Sequence, residues 1–274
     1  MEERPLDSTG MEPGVIGLGT WRTFDVAPDD EPEVERRRDV VTAALDAGCT
    51  LFDSSPMYGD AEQVLAIALG DRRRNVLIAT KVWTRDVAEG RRQIERALRW
   101  YGGMVDLYQI HNLVEWRSYL PLLRGLRESG DIRAVGITHY AHSSFPEMMR
   151  IMESEEIQSI QIPYNAADTL AEQEILPLAR EIGIGVITMS PFGTGDLVRS
   201  SPPAPELEPL REYGIETWPQ ALLKWIVSDP RVTCTIPATS RPERARSNAQ
   251  AGHPPFLPEE ERERVSWLAH RLTR

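Results

Sequence analysis

Asp53, Tyr58, Lys81 and His111 are the residues whose types and spacing could do chemistry. Each sits at, or just past, the end of an apolar run that reads as a strand: TLFDSSPMYG, NVLIATK and VDLYQIH. Neighbouring strands of one parallel sheet lie about 4.8 Å apart. On successive strands, the four side chains would therefore converge at one edge within roughly 10 Å. A phenol, an ammonium, a carboxylate and an imidazole gathered there can deliver a proton to a carbonyl oxygen. Carbonyl reduction needs that delivery.

The expected roles follow from acidity. A free phenol titrates near pH 10, a weak acid for neutral pH. An ammonium about 4 Å away favours the phenolate by up to ~4 kcal/mol. Burial works the other way. The charge wins only where Lys81 is held close, and Asp53 can hold it there. His111 can donate a hydrogen bond to a substrate oxygen or pass protons to Tyr58. Taken singly, each residue has an ordinary reading: turn chemistry for Asp53, rim packing for Tyr58, a structural ion pair for Lys81, a core position for His111. Their joint occurrence in this order favours the chemical one.

The positioning elements come next. Near-continuous apolar runs occur at 15–20, 50–53, 75–81, 105–111, 132–138, 157–163, 184–190 and 232–237. Such runs mark strands buried on both faces. Helix-like segments lie between and after them, at 33–47, 61–69, 89–100, 117–128, 144–153, 171–182, 217–227 and 241–250. Eight rounds of alternation predict an α/β chain folded as a closed (β/α)8 TIM barrel. An open doubly wound sheet is the other candidate, but GLGT at 17–20 lacks the phosphate-turn spacing. Residues 4–14 are expected to form a hairpin closing the barrel bottom, and 259–272 an extra terminal helix. The Pro- and Gly-dense stretch 193–215 is long enough to serve as a lid. Residues 1–274 are read as one domain.

The net charge of −11 argues against nucleic-acid partners and anionic membranes. Cys49 and Cys234 are far apart in sequence and read as small buried apolar residues. No metal-ligand spacing is present. A charged N-terminus without an apolar core predicts no signal peptide, and no run reaches the roughly 20 residues of a membrane span. A cytoplasmic location is the default expectation.

With these motifs, the chain resembles the aldo-keto reductases. The resemblance runs from RPLDSTGMEPGVIGLGTW to IPATSRPERARSNAQ, nearly the whole chain. FDSSPMYG, ATK and DLYQIHN match that family's catalytic tetrad. The match implies Tyr58 as general acid, Lys81 and Asp53 as its tuning pair, and His111 as substrate orienter. It implies hydride transfer from a nicotinamide to a carbonyl carbon, with no metal.

The resemblance also implies a cofactor site. Thr138 and His139 stand where the family has Ser-Asn, and Gln161 matches the Gln that helps hold the carboxamide. Met189 stands where a Tyr often stacks on the ring. Ser190, Phe192, Gly193, Thr194 and Gly195 match the pyrophosphate loop. Thr239, Ser240 and Arg241 belong to the adenosine-end segment, where Arg244 matches the 2′-phosphate arginine and Asn248 an adenine contact. Ala238 replaces a frequent Lys, and Ser247 a frequent Glu. Ser240 with Glu243 reads as a capping box, whose helix N-terminus attracts phosphate. NADPH is the implied cofactor, with NADH as the alternative.

Trp21, Arg22, Trp83, Asn112 and Trp116 are the expected lining of the substrate pocket. Their aromatic character suits an apolar or aromatic carbonyl compound, or a stacked sugar. A small-molecule carbonyl is therefore the expected partner; the oligomeric state is not readable. Two other readings use the same barrel: a non-catalytic nicotinamide-binding regulator, and a lyase forming a Schiff base at Lys81.

Overall fold

The structure is a computed structural model and describes residues 1–154 and 156–273. Its eight parallel strands follow chain order: β1 (Leu18–Gly19), β2 (Leu51–Asp53), β3 (Leu77–Val82), β4 (Val105–His111), β5 (Ile132–Thr138), β6 (Ser159–Pro163), β7 (Gly185–Met189) and β8 (Cys234–Thr235). Parallel bridges pair Ile16 with Thr235 and Gly19 with Ala238, bringing β8 against β1. The Gly17 amide donates to Thr235 O at 2.8 Å and the Gly19 amide to Pro237 O at 3.1 Å. The sheet thus closes into the (β/α)8 barrel. The first and last strands are shorter than the apolar runs containing them, because only isolated bridges continue the ladder there.

The helices fall close to their expected places: α1 (Glu31–Asp46), α2 (Ala61–Leu69), α3 (Val87–Trp100), α4 (Trp116–Ser129), α5 (Phe145–Ser154) and α6 (Ile175–Ile182). After them come α7 (Ala204–Leu207), α8 (Trp218–Val227), α9 (Pro242–Gln250) and α10 (Glu259–Leu272). Local chemistry sets their ends. Asp30 caps α1, accepting from the Glu33 amide at 3.2 Å, and Gly48 leaves that helix at φ 91°, where only glycine is unstrained. The capping box lies at Thr217–Gln220 on α8, not at Ser240–Glu243. Pro242 explains the difference. The residue before a proline is pushed to extended backbone, so Arg241 (φ −122°, ψ 121°) becomes the N-cap and Ser240 sits one residue too early.

Segment 193–215 is not a bare loop. It winds through short helical turns, and Leu197 and Leu210 are buried. The Trp218 indole donates to Leu197 O at 2.8 Å, anchoring it to α8. The stretch expected as a lid thus has helical turns and buried anchors of its own.

Alternation along the strands stacks the barrel interior in layers. Leu51, Ala79, Leu107, Ala134, Ile187, Cys234 and Ile236 fill the lower layer. Leu6 and Met11 plug it from below. They belong to the expected N-terminal hairpin, held by an antiparallel Glu3–Gly14 bridge and the Leu6 amide on Met11 O at 2.8 Å. The Arg4 guanidinium fastens this hairpin across the barrel floor, donating to Val227 O, Asp229 O and Val232 O at 2.7–3.0 Å. Each buried aliphatic side chain contributes about 1.5–3 kcal/mol. Cys49 and Cys234 are buried free thiols. No helix among the described residues is long and apolar enough to cross a membrane.

Candidate active site

Above the apolar plug the inward-facing residues become polar. Asp53 closes β2, Lys81 lies near the end of β3, and Gln109 and His111 lie near and at the end of β4. Lys81 is in register with Gln109, and His111 with Thr138. These side chains are almost wholly buried. An unpaired ammonium there would be expensive. Lys81 Nζ instead lies 2.7 and 2.8 Å from the two oxygens of Asp53 and 2.8 Å from Ser54 O. Gln109 Nε2 donates to Gln161 Oε1 at 2.9 Å and approaches Asp53 Oδ1 at 3.5 Å. Burial pushes the Asp53 carboxyl up and the Lys81 ammonium down, and each opposes the other's shift by attraction.

Tyr58 sits on the turn after β2. Ser55 is extended there and its hydroxyl accepts the Met57 amide at 3.2 Å, starting the single helical turn Pro56–Tyr58. Gly59 follows at φ 62°, and a Cβ there would meet the Asp25 carboxylate at 2.0 Å. The Tyr58 ring stands edge-on to the His111 ring, 5.9 Å between centroids at 89°. Lys81 Nζ is 5.5 Å from the ring centre. The expected acidification by Lys81 is not what this arrangement gives. Burial first, and then the Asp53 charge, hold the phenol well above its ordinary value. The Lys81 charge is taken up by Asp53, so the Tyr58 phenol keeps its proton. Burial, Lys81 and His139 push the His111 imidazole down to about 3, so the ring is neutral.

The remaining expected residues distribute unevenly. Thr138 is buried beside His111, and among the described residues its Oγ1 has no partner; Thr188 Oγ1 on β7 is likewise unpartnered there. Gln161 lies in register with Thr138 on β6. His139 is half-buried, its Nδ1 accepting the Ala141 amide at 3.0 Å, its ring stacked on Tyr140 at 5.2 Å. Met189 ends β7. Beyond it Ser190, Gly193, Thr194 and Gly195 all have positive φ, a tight backbone cradle around Phe192. At the far end Thr239 and Asn248 are buried, and Ser240, Arg241 and Arg244 are exposed. Among the described residues, neither arginine has a carboxylate partner.

Trp21 and Trp83 are 39% and 40% exposed, and the Trp83 ring lies 6.4 Å from that of His111. The Arg22 guanidinium lies over the Trp21 ring at 4.2 Å. Asn112 follows His111 with φ 53°, half-buried. Trp116 turns toward the neighbouring helix. It opens α4, and its indole donates to Glu147 of α5 at 2.9 Å. It thereby lines a groove between those helices with Arg117, Arg150 and Ile151. Its helical position, not its distance along the chain from His111, decides where the ring goes.

Three residues escaped the sequence reading. Gln109 links Asp53 to Gln161, and its position two before His111 puts it on the same inward face. Ser55 Oγ lies 2.8 Å from His111 Nδ1. Glu62 of α2 is buried behind the barrel wall and accepts the Thr80 hydroxyl. Burial pushes its carboxyl up to about 7, against the pull of Thr80 and Lys81.

A parallel barrel carrying a phenol over a buried ion pair at the carboxyl ends of its strands places these groups where barrel enzymes keep their sites. The sequence model of the Aldo/keto reductase family matches residues 15–268. The chain belongs to that family, whose members are nicotinamide-dependent oxidoreductases.

A Bacillus subtilis aldo-keto reductase is 30% identical over 66% of this chain, which spans 59% of that protein. An aldo-keto reductase of a Mycobacterium species is 30% identical over 85% of this chain and 81% of its own. Among solved structures, a Klebsiella pneumoniae aldo/keto reductase in complex with NADP and acetate has a TM-score of 0.82 at 23% identity, covering 100% of this chain and 96% of that one. The holo form of a Bacillus halodurans aldo-keto reductase has a TM-score of 0.80 at 24% identity, covering 98% and 96%. These two likenesses speak for the fold.

Proposed function

We propose that this protein is an NADPH-dependent reductase of a small aldehyde or ketone, able to run in reverse and oxidise the alcohol with the oxidised nicotinamide as hydride acceptor. The observation that carries the reading is the protonated, half-buried Tyr58 phenol edge-on to neutral His111, over the Asp53–Lys81 pair. When bound, the nicotinamide supplies the hydride that reduces the carbonyl carbon. The chain does the rest. His111 orients the carbonyl oxygen, and Tyr58 gives its proton to that oxygen as negative charge develops. Lys81, held by Asp53, offers a nearby positive charge to the resulting phenolate.

The unpartnered Thr138 Oγ1 fits a carboxamide, a group carrying both donors and an acceptor. Gln161 and His139 would hold the same group, with Met189 against the ring and Ser190 to Gly195 around the pyrophosphate. Arg241 and Arg244 would face the 2′-phosphate, Thr239 and Ser240 the adjoining backbone, and Asn248 the adenine. Trp21, Arg22, Trp83 and Asn112 would border the substrate. We read residues 1–274 as a single working domain. Lys81 is committed to three acceptors, which argues against imine chemistry at that amine.

The test is to incubate the protein with NADPH and a panel of aldehydes, ketones and sugars, following loss of the reduced-nicotinamide absorbance. Turnover of at least one carbonyl supports the reading. Tight NADPH binding without turnover of any would transfer support to a regulatory role.

A further inference from the structure

We propose that Ser55 is a positioning residue that fixes His111 as the tautomer carrying its proton on Nε2. The inference rests on the reading of His111 as the group that meets the substrate oxygen.

The geometry is closed on every side. Ser55 is fully buried, and its hydroxyl oxygen has two partners among the described residues, the Met57 amide at 3.2 Å and His111 Nδ1 at 2.8 Å. The Met57 amide can only donate, so it occupies a lone pair of Oγ. The hydroxyl keeps one proton to place, and His111 Nδ1 is the acceptor within reach. If Nδ1 carried the proton instead, Oγ would accept twice and its own proton would be stranded in a dry site, an arrangement native structures avoid. Ser55 therefore donates to Nδ1, and the neutral ring must bear its proton on Nε2. The hydrogen bond made by one imidazole nitrogen sets the state of the other.

The consequence is directional. A carbonyl oxygen accepts and cannot donate. An imidazole presenting Nε2–H can orient it, whereas one presenting a bare Nε2 would repel it. Burial and the Lys81 ammonium keep His111 neutral, so the ring cannot solve the problem by carrying both protons. The Pro56–Tyr58 turn then does two jobs. The hydroxyl that starts the turn carrying Tyr58 also fixes the proton on the ring facing Tyr58. In the sequence the pair is hidden, because Ser55 and His111 stand 56 positions apart.

The test uses the whole protein without added cofactor. Nitrogen-15 spectra of its imidazoles should show His111 neutral with the proton on Nε2. In Ser55→Ala the same ring should shift toward the Nδ1–H form. With NADPH and a carbonyl that the wild type turns over, Ser55→Ala should lower kcat/KM about tenfold, as loss of one directed hydrogen bond would. NADPH affinity should stay unchanged. Adding Ser55→Ala to His111→Asn should cost clearly less than it costs the wild type, because only the hold on the Met57 amide is then left to lose. A wild-type ring protonated on Nδ1, an unchanged tautomer in Ser55→Ala, or losses that multiply in the double variant would each overturn the proposal. Should no carbonyl be turned over, the proposed function falls, while the spectra still decide the tautomer.

Discussion

Both carboxylate oxygens of Asp53 lie within 2.8 Å of Lys81 Nζ, and the pair is sealed inside the barrel under Tyr58. The ammonium is thus neutralised sideways, by a neighbouring strand, rather than upward by the phenol. The phenol keeps its proton, and in the proposed reaction it would meet the positive charge as that proton left.

Removal of that proton is the first prediction. Tyr58→Phe should lower turnover about a hundredfold or more, the scale of a lost general acid. NADPH affinity, read by fluorescence titration, should hardly move. Activity retained near the wild-type level would exclude Tyr58 as donor.

Asp53→Asn leaves the Lys81 ammonium buried without its countercharge. We expect a stability loss of about 3–5 kcal/mol, the usual result of breaking one side of a buried pair. Urea unfolding at pH 7 measures it. A midpoint equal to that of the wild type would show the pair contributes nothing to the fold.

Arg244→Ala should weaken NADPH by about tenfold or more, since a charge-assisted hydrogen bond to phosphate is worth about 1.5–3 kcal/mol. NADH lacks that phosphate and should bind as before. Equal losses for both would remove Arg244 from the phosphate site.

Glu62 gives a pH dependence with a definite sign. Its folded-state carboxyl is raised from 4.5 to about 7, chiefly by burial. A raised acid favours the protonated fold, so its contribution is whole below about pH 4.5 and is lost as pH climbs toward 7. The loss amounts to about 3 kcal/mol. Glu62→Gln, which stays neutral, should flatten that slope in urea unfolding between pH 5 and pH 8. A variant slope matching the wild type would assign the dependence elsewhere.

The barrel was legible because eight apolar runs alternate with amphipathic ones, and seven strands fall inside their runs while β3 passes its run by one residue, Val82. The polar ring at its mouth was legible wherever a charged or aromatic residue ended a run, as Asp53, Lys81 and His111 do. Neutral partners were harder. Gln109 and Ser55 gain meaning only from what the sheet sets opposite them, and that register depends on contacts between segments far apart in sequence. The ring direction of Trp116 was hidden for a related reason: it follows from Glu147 on the next helix. The helix start at Pro242 was misread by one residue, because proline's effect on its predecessor overrode the cap signal of Ser240.

The Arg4 clasp bears on assembly order. Its carbonyl partners come 223–228 positions later in the chain, and the β1–β8 junction spans a similar distance. Contacts so remote in sequence form late and slowly. During refolding, strands β2 to β7 can zip as a curved sheet whose two open edges wait for each other, exposing the interior meant to hold Leu6 and Met11. Weakening the clasp by Arg4→Ala would lengthen that wait, making the half-shut sheet, rather than the finished enzyme, the species most prone to aggregate.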